Sequence, residues 1–217
     1  MRNIILVIAL FIGGSTFAQF SLSGGASFLK GFRKDTKPWF GFHVSGEIPR
    51  DDQVSFFLRY SYYFKQTSRD TSAALIYPIN PANPVPLSIG VRTSMDYHII
   101  EGGTRYYLGD GFDFGWSAYG GTNFMLVFNS VKTAYNDFDE SIYKADDDNS
   151  RNGLIFGLGA GLSGGVKYTA PIYGTFYLDA GLNYMLFAQK NNATVSSDLF
   201  SSLIFSLNIG YRRDLIW

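Results

Sequence analysis

Two sets of residues in this sequence have side chains able to do chemistry. The first is a group of nine charges, Glu47, Arg59, Lys65, Glu101, Arg105, Asp113, Lys167, Asp179 and Arg212, each on the polar face of a segment that alternates apolar and polar residues. Side chains two apart in an extended chain point the same way, so these charges share faces where they can pair, gate a passage or relay protons. Glu101 and Arg105 stand four residues apart, about 13 Å along one strand, so each is expected to pair across strands rather than with the other. The second set is histidine-centred. His43 shares a face with Ser45 and Glu47, and His98 ends the run Ser94-x-Asp96-x-His98, which puts a hydroxyl, a carboxylate and an imidazole on one face. A hydrolytic relay uses those three groups. On a strand, however, such neighbours sit about 6 to 7 Å apart and point in parallel, so the run cannot relay a proton unaided.

Other chemistries fit the residues less well. The acidic run KADDDNSRNG, residues 144–153, offers carboxylates to Ca²⁺, yet it lacks the glycine and glutamate spacing of an EF-hand and reads as a solvated loop. The run GLGAGLSGG, residues 157–165, lies within an alternating segment, where glycines relieve crowding, and is no phosphate-binding loop. The chain contains no cysteine, which excludes a thiol nucleophile, a Cys-ligated zinc and a disulfide framework. No cofactor and no metal site is expected.

The elements that must position these residues are strands. Residues 19–30, 38–48, 53–66, 90–108, 112–129, 153–168, 176–189 and 199–212 each alternate, giving eight amphipathic segments. The fifth is representative: Phe112, Phe114, Trp116, Ala118, Gly120, Phe124, Leu126 and Phe128 oppose Asp113, Ser117, Tyr119 and Asn123. Links at 49–52, 109–111 and 169–174 read as tight turns, whereas 67–89, rich in proline, and 130–152, rich in acid, read as long loops. The eighth segment sets Leu199, Leu203, Phe205, Leu207, Ile209 and Tyr211 on its greasy face.

The beginning of the chain reads as a targeting signal. Arg2 precedes the apolar run IILVIALFI, and Thr16-Phe17-Ala18 before Gln19 has the small residues of a cleavage site. The apolar run is far shorter than the roughly 20 residues a spanning helix needs. The expected organisation is a signal peptide over residues 1–18 and one domain over 19–217. Removing 1–18 takes away Arg2 alone and leaves 17 basic against 18 acidic side chains, a balance that argues against a nucleic-acid partner.

Charge placement decides which side of the sheet is inside. The greasy faces hold almost no charge before Arg213. A soluble barrel would have to bury the nine charges in a dry apolar core, at severe desolvation cost. A membrane barrel presents the greasy face to lipid, where a basic residue at mid-bilayer costs about 2–4 kcal/mol, and pairs the charges in its lumen. Tyr60, Tyr62, Tyr106, Tyr168, Tyr184, Tyr211 and Trp116 suit interfacial girdles. An eight-stranded barrel is just wide enough for side chains to fill, so a lumen plugged by Trp39, Phe57, Tyr97, Tyr119, Tyr177 and the charges is expected.

The signal ending Phe-Ala-Gln, the eight strands, the small lumenal residues and the terminal aromatic resemble the small outer-membrane β-barrels of the OmpA/OmpX type, in forms common in Bacteroidetes. The resemblance implies an all-β, eight-stranded, antiparallel up-and-down transmembrane barrel in the outer membrane of a Gram-negative bacterium, with both termini periplasmic. It also implies a C-terminal signal read by the barrel-assembly machinery. Ile209, Tyr211, Leu215 and Trp217 match that signal, and Arg213 departs from it. The implied role is non-enzymatic, exercised through extracellular loops or lateral contacts with other outer-membrane proteins, for instance as an accessory subunit of a secretion or barrel-assembly complex. Rival readings are lipid A modification, as in barrels of the PagP and PagL kinds, and a narrow channel. Ala118 and Gly120, small residues on the lipid face, mark one place for a lateral partner.

Overall fold

The structure, a computed structural model, describes residues 20–33, 36–79, 87–109, 114–135, 138–139, 141–145, 153–191 and 199–216. The expected signal peptide, Asp113 and Trp217 lie outside the described residues. Among the described residues nine strands form: β1 (Phe20–Gly31), β2 (Trp39–Pro49), β3 (Val54–Pro78), β4 (Leu87–Tyr107), β5 (Gly115–Tyr135), β6 (Tyr143–Ala145), β7 (Gly153–Ala170), β8 (Gly174–Asn191) and β9 (Leu203–Ile216). Each long strand pairs antiparallel with its neighbours, β9 returns to β1, and β2 pairs with β3, so eight of the nine close a barrel with no free edge. This is the all-β, eight-stranded antiparallel closed barrel that the alternating segments imply.

Burial follows the alternation with the sense of a membrane protein. Along β8, Phe176, Leu178, Leu182 and Tyr184 are exposed while Thr175, Tyr177, Asp179 and Asn183 are buried. Around the barrel Leu58, Phe124, Leu162 and Ile209 are each more than 60% exposed. A surface of that kind is stable only against hydrocarbon, and a closed barrel is the one sheet that satisfies all its backbone groups there. No helix among the described residues is long and apolar enough to cross a membrane.

The chain enters at β1 and leaves at β9 on the end that also carries the short links 49–54, 107–115 and 170–174; this is the terminal end. Gly174 closes the last of these links at φ +92°, a left-handed backbone that an L side chain adopts only with strain. The opposite, loop end carries the longer links.

The loop end departs from expectation. Alternation alone stops the third strand at Gln66 and starts the fourth at Gly90, but β3 runs to Pro78 and β4 starts at Leu87. The prolines of this stretch begin at Pro78, so they end the strand rather than interrupt it, and residues 67–77 are free to pair. β5 likewise runs on to Tyr135, and β6 forms within the stretch read as an acidic loop, pairing Ala145 with Ile76 and Tyr143 with Pro78. β2 leaves β3 at Tyr63 and β7 leaves β5 at Val131, whereas the β3–β4 ladder continues to Ile76. A sheet of β3, β4, β5 and β6 thus projects past the rim, with Ile89 packed by Tyr135, Phe138 and Tyr143. The expected strand 199–212 also begins later, at Leu203, and Leu199 is fully buried inside the barrel mouth instead of facing lipid.

Candidate functional site

Among the described residues, buried ionisable groups are concentrated in the lumen. Alternation aims one row of each strand inward, and the register decides which residues share a level. At the terminal end the inward rows supply Glu47 from β2, Arg59 from β3, Glu101 and Arg105 from β4, Lys167 from β7, Asp179 from β8 and Arg212 from β9, all buried. Acids and arginines alternate along a chain of contacts. Glu101 lies 3.6 Å from Arg59, Arg59 2.5 Å from Asp179, Asp179 2.8 Å from Arg105, and Arg105 2.7 Å from Glu47. Glu47 is 3.3 Å from Arg212, which reaches the half-buried Asp214 at 3.6 Å. As the sequence suggests, Glu101 and Arg105 each pair with other strands.

Geometry makes this chain a brace. β3 and β8 are four strands apart in either direction around a barrel of eight, so the Arg59–Asp179 pair crosses the full lumen. The remaining lone pairs are also used. Glu47 accepts hydrogen bonds from Ser55 and Tyr107, Asp179 from Asn208, and Glu101 from Asn123. The Arg105 guanidinium stacks on Phe57 at 4.4 Å and on Tyr119 at 5.0 Å. Lys167 donates to Thr169 and lies over the Tyr107 ring. Tyr119 and Tyr177 lie across Gly165 and Gly210 of adjacent strands, where a Cβ would stand 2.7 Å from the phenol Cζ, so only glycine admits the rings.

Lys65, expected in this row, is exposed. A bulge between Tyr63 and Gln66 in the β3–β4 ladder shifts the alternation there, and Lys65 follows Phe64 onto the outer surface.

His43 is buried between Ser27 and Tyr177. Ser27 donates its proton to Asn208, so His43 Nδ1 donates to Ser27 Oγ at 2.8 Å, and Nε2 is left to accept from the Tyr177 hydroxyl at 2.5 Å. Every polar atom of the ring is used within the wall, and none is turned to a substrate.

The outward histidine is engaged differently. His98 Nδ1 meets the Tyr60 hydroxyl at 2.7 Å, and its ring packs on Tyr62 at 4.9 Å. Ser94 Oγ pairs with Thr67, and Asp96 accepts from the Ser130 amide. Ser94, Asp96 and His98 therefore share a face, as expected, and are each committed to a neighbouring strand with no relay between them. Of the acidic loop, Asp139 is described; hydrogen bonds from the Ser141 hydroxyl and amide hold its carboxyl below the usual range. No cluster of three metal-ligating side chains occurs among the described residues.

Toward the loop end the inward rows change character. Leu29, Trp39, Tyr63, Met95, Tyr97, Ile99, Met125, Val127, Val131, Ile155, Met185, Leu199, Phe200 and Ile204 form one buried apolar cluster. Trp39 packs edge-on to Tyr97 at 4.8 Å, and the Tyr97 hydroxyl donates to the Leu199 carbonyl, pinning the chain before β9 into the mouth. Trp39, Phe57, Tyr97, Tyr119 and Tyr177 are all buried in the lumen. Charge placement does not reveal this apolar layer; its signal in the sequence is that Ile99, Met125, Val127 and Ile155 stand at inward positions of their strands.

Of the terminal assembly residues, Ile209 and Leu215 are exposed on the outer face of β9, with Tyr211 between them and hydrogen-bonded to the Tyr173 carbonyl. Arg213 is exposed in the same outward row.

No family model and no curated protein matches the sequence. Solved structures do. The neisserial surface protein A is similar with a TM-score of 0.54 at 15% identity, over 89% of this chain and 95% of that one. A major outer membrane protein of Thermus thermophilus is similar with a TM-score of 0.54 at 13% identity, over 91% of this chain and all of that one. At such identities the likeness is one of fold, and the fold shared is that of the small outer-membrane β-barrels.

Proposed function

We propose that the protein is a non-enzymatic outer-membrane barrel of the OmpA/OmpX-like kind, with both termini periplasmic, that works through its loop-end sheet on the cell surface. The observation that carries this reading is the continuation of β3, β4 and β5 beyond the barrel rim, capped by β6 around Ile89, Tyr135, Phe138 and Tyr143. A barrel needs strands only long enough to span lipid, about 9–11 residues. β3, at 25 residues, far exceeds that. The braced lumen and the separately engaged Ser94, Asp96 and His98 favour this reading over a channel or a lipid A-modifying enzyme. An accessory role in a larger outer-membrane assembly is one form of it, with the projecting sheet or the lipid face near Ala118 and Gly120 as the contact.

The test is purification from native membranes of the intact protein beside a variant in which residues 67–92 are replaced by a short turn. A protein that accompanies the intact chain in stoichiometric yield and is lost with the projection is the expected result. Recovery of both forms alone would count against the reading. Unchanged lipid A mass spectra with and without the gene, and silent planar bilayers, are expected alongside.

A further inference from the structure

We propose that the outer surface at the loop end holds a seat for a phosphate-bearing glycolipid of the outer leaflet, formed where β1 meets β9. A cavity of about 340 Å³ lies there, lined by Lys30, Gly31, Phe32, Arg33 and Phe205. Lys30 stands opposite Phe205 in the β1–β9 ladder, and the Phe32 amide donates to the Leu203 carbonyl, which fixes the turn carrying Arg33 beside the strand pair.

The cavity sits at the edge of the lipid-facing surface. On β1 the outward positions Phe20, Leu22, Gly24, Ala26 and Phe28 are uncharged, and Lys30 is the first charge; on β9 the outward run Ile209, Leu207, Phe205 is uncharged too. A ligand there meets the rings of Phe205 and Phe32 beside two cations, Lys30 level with Phe205 and Arg33 just past the end of β1. Phe32 is 59% exposed. Lys30 and Arg33 are exposed and have no acidic partner among the described residues. Two aromatic rings beside two exposed cations suit a lipid whose headgroup carries phosphate on a sugar ring. Among the described residues the same end also exposes Lys65, Arg92 and Lys132 together with the acid Asp139, whereas the terminal end exposes Arg50 and Arg213 beside Asp51 and Asp52. The seat lies at the end that the proposed function turns toward the phosphate-rich outer leaflet, and the proposal rests on that orientation.

Two measurements separate the orientation from the seat. The chain lacks cysteine, so Asp139→Cys gives a single label site: labelling of intact cells by a membrane-impermeant maleimide is expected, and its absence would overturn the orientation and with it the outer-leaflet source. The seat is read by retention of diphosphoryl lipid A on the intact barrel in phosphatidylcholine nanodiscs, beside dephosphorylated lipid A and inorganic phosphate. Wild type should retain the diphosphoryl lipid about tenfold better than the double variant Lys30→Ala/Arg33→Ala. The charge-preserving variant Lys30→Arg/Arg33→Lys and the opposite-rim variant Arg50→Ala should retain it as wild type does. Equal retention by the double variant, equal retention of the dephosphorylated lipid by wild type, or displacement of the lipid by millimolar inorganic phosphate would each overturn the proposal. The last two arms use wild type alone and stand whether or not the double variant folds.

Discussion

The two halves of the lumen have the same backbone geometry and opposite chemistry. At the terminal end Glu47, Arg59, Glu101, Arg105, Asp179 and Arg212 cross the barrel with directional bonds; at the loop end Trp39, Met95, Tyr97, Ile99, Met125 and Val127 fill it with contacts that have no preferred partner. Directional pairs hold opposite walls at a set distance, and each depends on its partner for its stability. Apolar packing excludes water and tolerates small shifts. The lower half therefore acts as a brace and the upper half as a seal, and the projecting sheet stands directly above the seal.

The largest expected effect is on the brace. Asp179→Ala removes the carboxylate that Arg59 and Arg105 share, leaving Arg59 only its longer contact to Glu101 and Arg105 its pair with Glu47, and removing one partner of a buried pair costs about 3–5 kcal/mol. Denaturant unfolding in micelles should show that loss, while the combined Arg59→Met/Glu101→Gln/Asp179→Leu barrel, which also neutralises the acid facing Arg59, should recover much of it. A recovery no better than the single variant would show that the bracing pairs are not the source of the cost. Next comes the seal: Met125→Ala should cost about 2–4 kcal/mol by leaving a cavity. The two halves should differ in kind as well as in size. Trp39→Ala/Tyr97→Ala is expected to give measurable bilayer conductance, and Asp179→Ala is expected to remain silent because the seal above it is intact. Conductance from the brace variant alone would erase the distinction. Smaller still is Tyr177→Phe, which removes one hydrogen bond to His43, worth about 1 kcal/mol. The smallest is Lys65→Ala, within about 0.5 kcal/mol because the side chain is exposed. A loss as large as that of Lys167→Ala would return Lys65 to the lumen.

Period-two patterning shows the eight barrel strands because alternation is local, and a one-residue slip would turn a charged row into lipid. The identity of charged residues at inward positions follows from the same rule, as Arg105 and Asp179 illustrate. Lys65 escapes it, because a bulge depends on how β3 and β4 accommodate each other and not on the composition of either. The projection escapes it for a related reason: residues 67–77 have no strong alternation of their own and become strand only where β4 offers a ladder.

The sequence by itself determined the closed all-β architecture, the lipid-facing rows and the inward placement of most of the charges, since each depends on short-range alternation and on the cost of charge in hydrocarbon. The tertiary structure decided the rest. Shear and register bring Arg59 of β3 to Asp179 of β8, 120 residues away, fold Leu199 into the mouth, and set Lys30 beside Phe205 at the rim. No local pattern encodes those distances, because they exist only once the last strand has closed on the first.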